Sequence, residues 1–241
     1  MAYGLIIMTD FGRLVVYEDN HIIVVNKPAG LLVQGDETGD VPLSELVKHY
    51  LKEKYQKTGN VFAGVVHRLD RPVSGVVLLA KTSKALTRLN EMFRSNKIQK
   101  TYLAITARQP ILEQARLIHW LTKDENRNIS KAHTKEVPKS LRAELSYRVI
   151  AQTQDYYWLQ VNPITGRPHQ IRVQLATQKS PIVGDVKYGA PALLPDKSIC
   201  LHAYSLEFIH PIRQEKMFVR ALPPEIPPWS LFKKVLPDAL S

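Results

Sequence analysis

The stretch His67-Arg68-Leu69-Asp70-Arg71-Pro72-Val73-Ser74-Gly75, followed by the short apolar run Val76–Ala80, decides how the rest of this chain is read. The apolar run reads as a buried strand. The polar residues before it form a loop at the sheet edge, where alternation sends Asp70 and Arg68 to one side and Leu69 to the other. Arginine on both flanks favours the ionised carboxylate, which suits a nucleophile or base that must carry its charge at neutral pH. The same pattern also describes a structural ion pair bracing a tight loop. Local chemistry leaves both readings open.

Toward the N-terminus, Leu14–Tyr17 leads through the polar turn Glu18-Asp19-Asn20 into the β-branched run Ile22–Val25. Asn26-Lys27-Pro28-Ala29-Gly30 reads as a turn, after which Leu31–Val33 is expected to resume the sheet. Leu43, Leu46, Val47, Tyr50, Leu51 and Tyr55 recur at helical spacing and predict an amphipathic helix ended near Gly59. Toward the C-terminus, Ser83–Arg94 is a second helix with Leu86, Leu89 and Phe93 on one face. Strands are expected at Thr101–Ala107, Ala115–Leu121, Asn128–Thr134, Ala143–Ile150, Tyr157–Val161, Leu201–Ile209 and Phe218–Ala221. Pro168–Thr177 suits a helix with Pro168 in its first turn. A short terminal helix is expected around Trp229–Val235, within a tail over 223–241. The pattern predicts one mixed α/β (α+β) domain over residues 1–241 with much antiparallel sheet.

Composition narrows the function. The 241 residues are 44% hydrophobic and 23% charged, which is ordinary for a globular chain. The net charge of +11 is uneven: residues 1–60 carry six basic and eight acidic side chains, so the excess lies beyond them. A basic surface there would attract phosphate backbones or acidic membranes. Between Lys123 and Arg142 six basic residues face three acids, either as part of such a surface or as solvated strand connections. The single cysteine, Cys200, excludes an internal disulfide, a multi-cysteine zinc site and an iron–sulfur cluster. No signal peptide or membrane span is read, so a cytoplasmic protein is expected.

Two further places carry chemistry. In Asn162-Pro163-Ile164-Thr165-Gly166-Arg167-Pro168-His169-Gln170-Ile171-Arg172, the residues Arg167, His169, Gln170 and Arg172 are too polar for a plain helix start. Such a cluster holds phosphates, orients an acid or caps a loop. His169 lacks neighbours that would make it a metal ligand; otherwise it is a neutral histidine bonded to backbone. Tyr102, which follows Lys100, has a ring that can stack on a nucleobase and a hydroxyl that can take part in proton transfer, or it simply packs in a sheet.

Together these places resemble the RluA-type family of RNA pseudouridine synthases. The resemblance rests on HRLDRPVSG (67–75), KTYLAI (100–105), NPITGRPHQIRVQL (162–175), PIVGDVKYG (181–189) and LHAYSLEFIHP (201–211), and it includes NKPAG at 26–30. It extends from about Tyr17 to Phe218. It implies a pseudouridine synthase-like catalytic domain with a largely antiparallel bent sheet, acting on uridine in structured RNA as a monomer. The family's essential aspartate falls on Asp70, its active-site tyrosine on Tyr102, and its conserved arginine on Arg172, which is expected to form a salt bridge with Asp70. Arg68 matches a residue that in some members fills the space left by the flipped nucleotide. Ile171 and Leu201 match apolar parts of the pocket wall, and Arg167, His169 and Gln170 are candidate substrate contacts.

Moving the glycosidic attachment from N1 to C5 requires cleavage, rotation of a trapped base and reattachment, with the uridine out of its stack. Asp70 could add to C1′ or remove the C2′ proton to give a glycal-like intermediate. Nothing is oxidised, phosphorylated or hydrolysed, so neither cofactor nor metal is expected. Pro72-Val73, Pro168 and Gln174 depart from the common family pattern, and altered loop rigidity or RNA choice is the expected consequence. About sixteen residues precede the family-like strand, which resembles the compact branch acting on transfer RNA, ribosomal RNA or both. The competing readings are a non-catalytic RNA-binding or ribosome-assembly protein and a glycosylase releasing free base.

Overall fold

The structure, a computed structural model, describes residues 11–232. They form a mixed α+β fold in which a largely antiparallel, mostly open sheet is flanked by helices. Two compact units are built from it. Of the described residues, 11–99 join Ala203–Leu222 in the first, and Lys100–His202 join 223–232 in the second.

In the first unit, β1 (Val15–Glu18), β2 (Ile22–Lys27), β4 (Ser74–Ala80) and most of β10 (Leu201–Ile209) lie in that order. The short β3 (Gly64–Val65) pairs with β4, and β11 (Lys216–Arg220) pairs with β10. β2 and β4 run antiparallel, with Lys27 opposite Gly75 and Ile22 opposite Ala80. Ile22–Val25 and Val76–Ala80 are buried on both faces, which is why they read as continuous apolar runs and not as alternation. Helix α1 is Leu43–Lys54 and α2 is Ser83–Arg94. Ala85 and Leu89 of α2 pack with Ile22, Val24, Val76, Leu78, Leu206 and Phe208. Its start is fixed by Thr82, whose side-chain oxygen accepts from the Ala85 N–H, a cap that typically contributes about 1 kcal/mol.

Gly75 is required where β4 passes β10. Its φ is +117°, and a Cβ there would lie 2.2 Å from the Ala203 carbonyl oxygen.

In the second unit the order is β5 (Gln99–Thr106), β9 (Tyr157–Pro163), β8 (Leu141–Gln152), β6 (Gln114–Asp124) and β7 (Ile129–His133), all neighbours antiparallel. Helix α3 (Gln170–Thr177) covers one face through Val173, packed with Leu121 and Ala143. Trp158 is buried against Trp229 and Phe232, ring centroids 6.4 and 4.9 Å away.

Several sequence expectations are corrected. Leu31–Val33 does not rejoin the sheet, because the carbonyls of Leu32 and Val33 accept from the N–H groups of Leu43 and Ser44 at the start of α1. Pro168 lies outside α3, since His169 takes a left-handed conformation (φ 53°) and the helix begins only at Gln170. The two-residue β3 carries too little pattern to be read from sequence. Of the expected terminal helix, Trp229–Phe232 forms one 3-10 turn, and the residues beyond it lie outside the described ones. No helix among the described residues is long and apolar enough to cross a membrane.

Candidate active site

Asp70 opens a turn closed by the Val73 N–H, which donates to the Asp70 carbonyl at 3.0 Å. The turn is tied to the NKPAG segment: the Gly30 N–H donates to the Arg71 carbonyl at 2.8 Å. Asp70 is half-buried, Leu69 beside it is buried and Arg68 is exposed. His67 is held behind the loop, its Nε2 accepting from the Leu78 N–H at 2.9 Å and its ring stacked on Phe93 at 4.7 Å. With Nε2 as acceptor, the neutral ring carries its proton on Nδ1.

Lys27 is a cation of this unit whose charge is coupled to Asp70. Its side chain is fully buried, with Nζ donating to the carbonyls of Leu31 (2.7 Å), Pro28 (3.0 Å) and Arg71 (3.4 Å). Burial pushes its pKa down to about 7, opposed by the Asp70 charge and reinforced by Arg71. Arg71 points elsewhere: Nη2 reaches Asp40 at 2.6 Å and Nε donates to the Gly30 carbonyl at 3.0 Å. The expectation that both flanking arginines serve Asp70 is therefore corrected for Arg71, whose guanidinium braces the loop. NKPAG reads as a turn, which hides Lys27 as a partner of the loop. The signal was a lysine ending an otherwise apolar strand.

In the second unit, Tyr102 sits half-buried on β5 opposite Val161. Arg172 on α3 is buried and held by Asp185 in a two-pronged ion pair, Nε to Oδ2 at 2.7 Å and Nη2 to Oδ1 at 2.9 Å. Its guanidinium lies 5.1 Å from the centre of the Tyr188 ring. The Tyr188 hydroxyl accepts from the Ser130 N–H at 2.8 Å and lies 2.7 Å from His169 Nδ1. The two side chains share one hydrogen bond, whose direction is set by the His169 tautomer. His169 and Arg172 thus meet on Tyr188. Asp185 and Tyr188 belong to PIVGDVKYG, and nothing local in sequence links them to α3.

The Thr165-Gly166-Arg167 turn is braced from below. Gln170 is buried, its Oε1 accepting from the Thr165 hydroxyl (2.7 Å) and the Arg167 N–H (3.0 Å), while its Nε2 donates to the Glu144 carbonyl at 3.0 Å. Arg167 Nε donates to the Arg142 carbonyl at 3.0 Å. Glu144 is buried. Burial pushes its pKa up, but hydrogen bonds from Arg116 and Arg142 outweigh that and hold it below the usual carboxylate range. Ile171 and Leu201 are both buried. Gln174 is fully enclosed, its Nε2 donating to the Leu117 carbonyl at 3.2 Å and lying 3.1 Å from His119 Nδ1. Cys200 is buried, which pushes its thiol up to about 12.

Comparison with known proteins identifies this frame. Residues 21–177 match the family described as RNA pseudouridylate synthase. The chain belongs to the RluA-type family of RNA pseudouridine synthases. It is 32% identical over 225 residues to the tRNA pseudouridine synthase C of Vibrio cholerae, covering 86% of this chain and 89% of that protein. It is 34% identical over 234 residues to the ribosomal large subunit pseudouridine synthase D of Xanthomonas campestris, covering 88% and 66%. The chain therefore spans about two-thirds of that longer relative. The fold matches the human RNA pseudouridylate synthase domain containing 4, with a TM-score of 0.78 at 24% identity over 95% of this chain and 96% of that one. This pseudouridine synthase is an isomerase, and its expected chemical residues fall within or beside ordered turns and strands of the two units.

Proposed function

We propose that this pseudouridine synthase isomerises uridines in transfer RNA, in large-subunit ribosomal RNA or in both, with Asp70 as its catalytic carboxylate. The observation that carries the reading is the seat of Asp70, on a turn clamped to NKPAG and set against the buried ammonium of Lys27. A reacting carboxylate must be held in place, and Lys27, whose Nζ donates to the carbonyls of Pro28, Leu31 and Arg71, ties NKPAG to the turn that carries it. The RNA classes are those in the names of the two relatives above.

In this reading Asp70 adds to C1′ of the ribose or takes the C2′ proton. Either way the N1–C1′ bond breaks, the uracil turns within the site, and C5 bonds to C1′. The C5 proton is lost to solvent, N1 takes one up, and the carboxylate is regenerated. Tyr102 contacts the base, Arg172 pairs with Asp70, and Arg68 fills the space vacated by the flipped nucleotide. Holding the detached base makes its reattachment effectively intramolecular.

Transfer RNA and large-subunit ribosomal RNA transcripts tritiated at uridine C5 test this, with wild type compared against Asp70→Asn and product nucleosides separated by chromatography. Tritium release matched by pseudouridine, and lost in the variant, is expected. Free uracil, or full activity in Asp70→Asn, would overturn the assignment.

A further inference from the structure

Lys100 has an ammonium with no hydrogen-bond or ion-pair partner among the described residues, although its side chain is half-buried and burial lowers its pKa. Unpaired buried charge is costly, so such a group is normally neutralised or bonded. Here Nζ reaches toward the Thr165-Gly166-Arg167 turn, 3.9 Å from where a Cβ on Gly166 would stand. That turn is exposed at Gly166, and its Thr165 and Arg167 are already tied down by Gln170 and Glu144. Glu144, the acid beneath the turn, cannot serve Lys100, because Arg116 and Arg142 hold its carboxylate.

The strand adds a direction. Lys100 and Tyr102 stand two residues apart on β5, so their side chains leave the same face about 7 Å apart. A single nucleotide spans that distance from base to phosphate.

We infer that Lys100 and the Thr165–Arg167 turn form a phosphate subsite that takes the RNA phosphodiester next to the target uridine. The inference rests on the RNA-modifying reading above and adds to it a fixed point for the backbone. Glycine at 166 leaves the turn without a side chain in the path of the phosphate. Arg167 supplies a second cation at its rim.

The test measures binding and turnover of wild type, Lys100→Met and Lys100→Arg on unmodified transfer RNA and large-subunit ribosomal RNA transcripts over a range of monovalent salt. Methionine keeps the apolar stem and removes the charge; Lys100→Gln serves if it does not fold. One lost phosphate contact lowers the slope of log K against log salt by about 0.7–0.9. Across a tenfold fall in salt, that slope amounts to roughly sixfold weaker binding for the variant near 0.1 M. The loss is expected in KM more than in kcat, with Lys100→Arg restoring most of it. An unchanged salt slope in Lys100→Met, or a loss confined to kcat, would overturn the subsite. If wild type forms no pseudouridine on either transcript, the functional reading fails. The salt slope of binding still decides the subsite in that case.

Discussion

Replacing Lys27 by methionine should change how stability depends on pH. In the folded protein the Lys27 ammonium is held at about 7, against an ordinary lysine value of 10.5. The folded state therefore releases this proton first, and the unfolded chain binds more protons between those two values. Stability then rises with pH across that window. From pH 7 to pH 9 a single such group contributes about 2 kcal/mol of added stability, with a limiting slope of about 1.4 kcal/mol per pH unit. Lys27→Met has no proton to release, so its profile lacks this rise. At pH 7 the two opposing effects of the substitution are of similar size. It removes a buried charge, but it deprives the carbonyls of Pro28, Leu31 and Arg71 of their donor. Urea unfolding of both proteins at pH 7, 8 and 9 is the assay, since other titrating groups cancel in the difference. The gap should widen by about 2 kcal/mol in favour of wild type. Parallel profiles, with the gap constant to within about 0.5 kcal/mol, would refute the claim that burial holds this lysine near neutrality.

Gly75→Ala should destabilise the first unit by more than about 3 kcal/mol, because the new methyl group meets the Ala203 carbonyl at 2.2 Å with no side chain free to move aside; wild-type stability in urea would show that the strands can shift. Asp185→Asn should cost about 2–3 kcal/mol and sharply reduce pseudouridine formation, since it removes the two-pronged carboxylate partner of the buried Arg172 guanidinium. A loss below about 1 kcal/mol would mean that the pair contributes little. His210 is buried, its Nδ1 accepts from the N–H groups of Ile212 and Arg213, and its Nε2 is 2.9 Å from Asp19. Burial lowers its pKa, so the stability it contributes is present above the ordinary histidine value and lost as pH falls through the folded one. Thermal melts from pH 7 to pH 5 should therefore fall more steeply in wild type than in His210→Gln, and equal falls would remove His210 from the acid response.

The elements that sequence reveals are those whose burial leaves a mark on neighbouring residues. Ile22–Val25 and Val76–Ala80 are apolar without interruption because β2 and β4 are covered on both faces. The helices α1 and α2 show their apolar spacing because one side of each is buried. Leu31–Val33 misleads for a related reason. Its apolar side chains suit a strand, but its carbonyls are claimed by the start of α1, and no local pattern registers a hydrogen bond made eleven residues away. Pro168 misleads through a single dihedral angle, the positive φ of His169, which is uncommon outside glycine.

The candidate site divides along the same line. Asp70, Tyr102 and Arg172 stand in motifs, so their positions can be read directly from the sequence, whereas the groups that hold them cannot. Asp70 is flanked in sequence by two arginines, yet one of them turns to Asp40, and a buried cation coupled to the carboxylate is a lysine from strand β2. Register explains this: Lys27 pairs with Gly75, so the end of β2 lies beside the loop that carries Asp70. Arg172 likewise meets Asp185 thirteen residues on, after the chain has left α3 and turned back. A reactive group is recognised by its own chemistry, whereas its counter-charge is chosen by the fold. For that reason substitutions at Lys27 and Asp185 test the structural reading more severely than substitutions at Asp70 or Arg172, where the motifs alone already predict a loss.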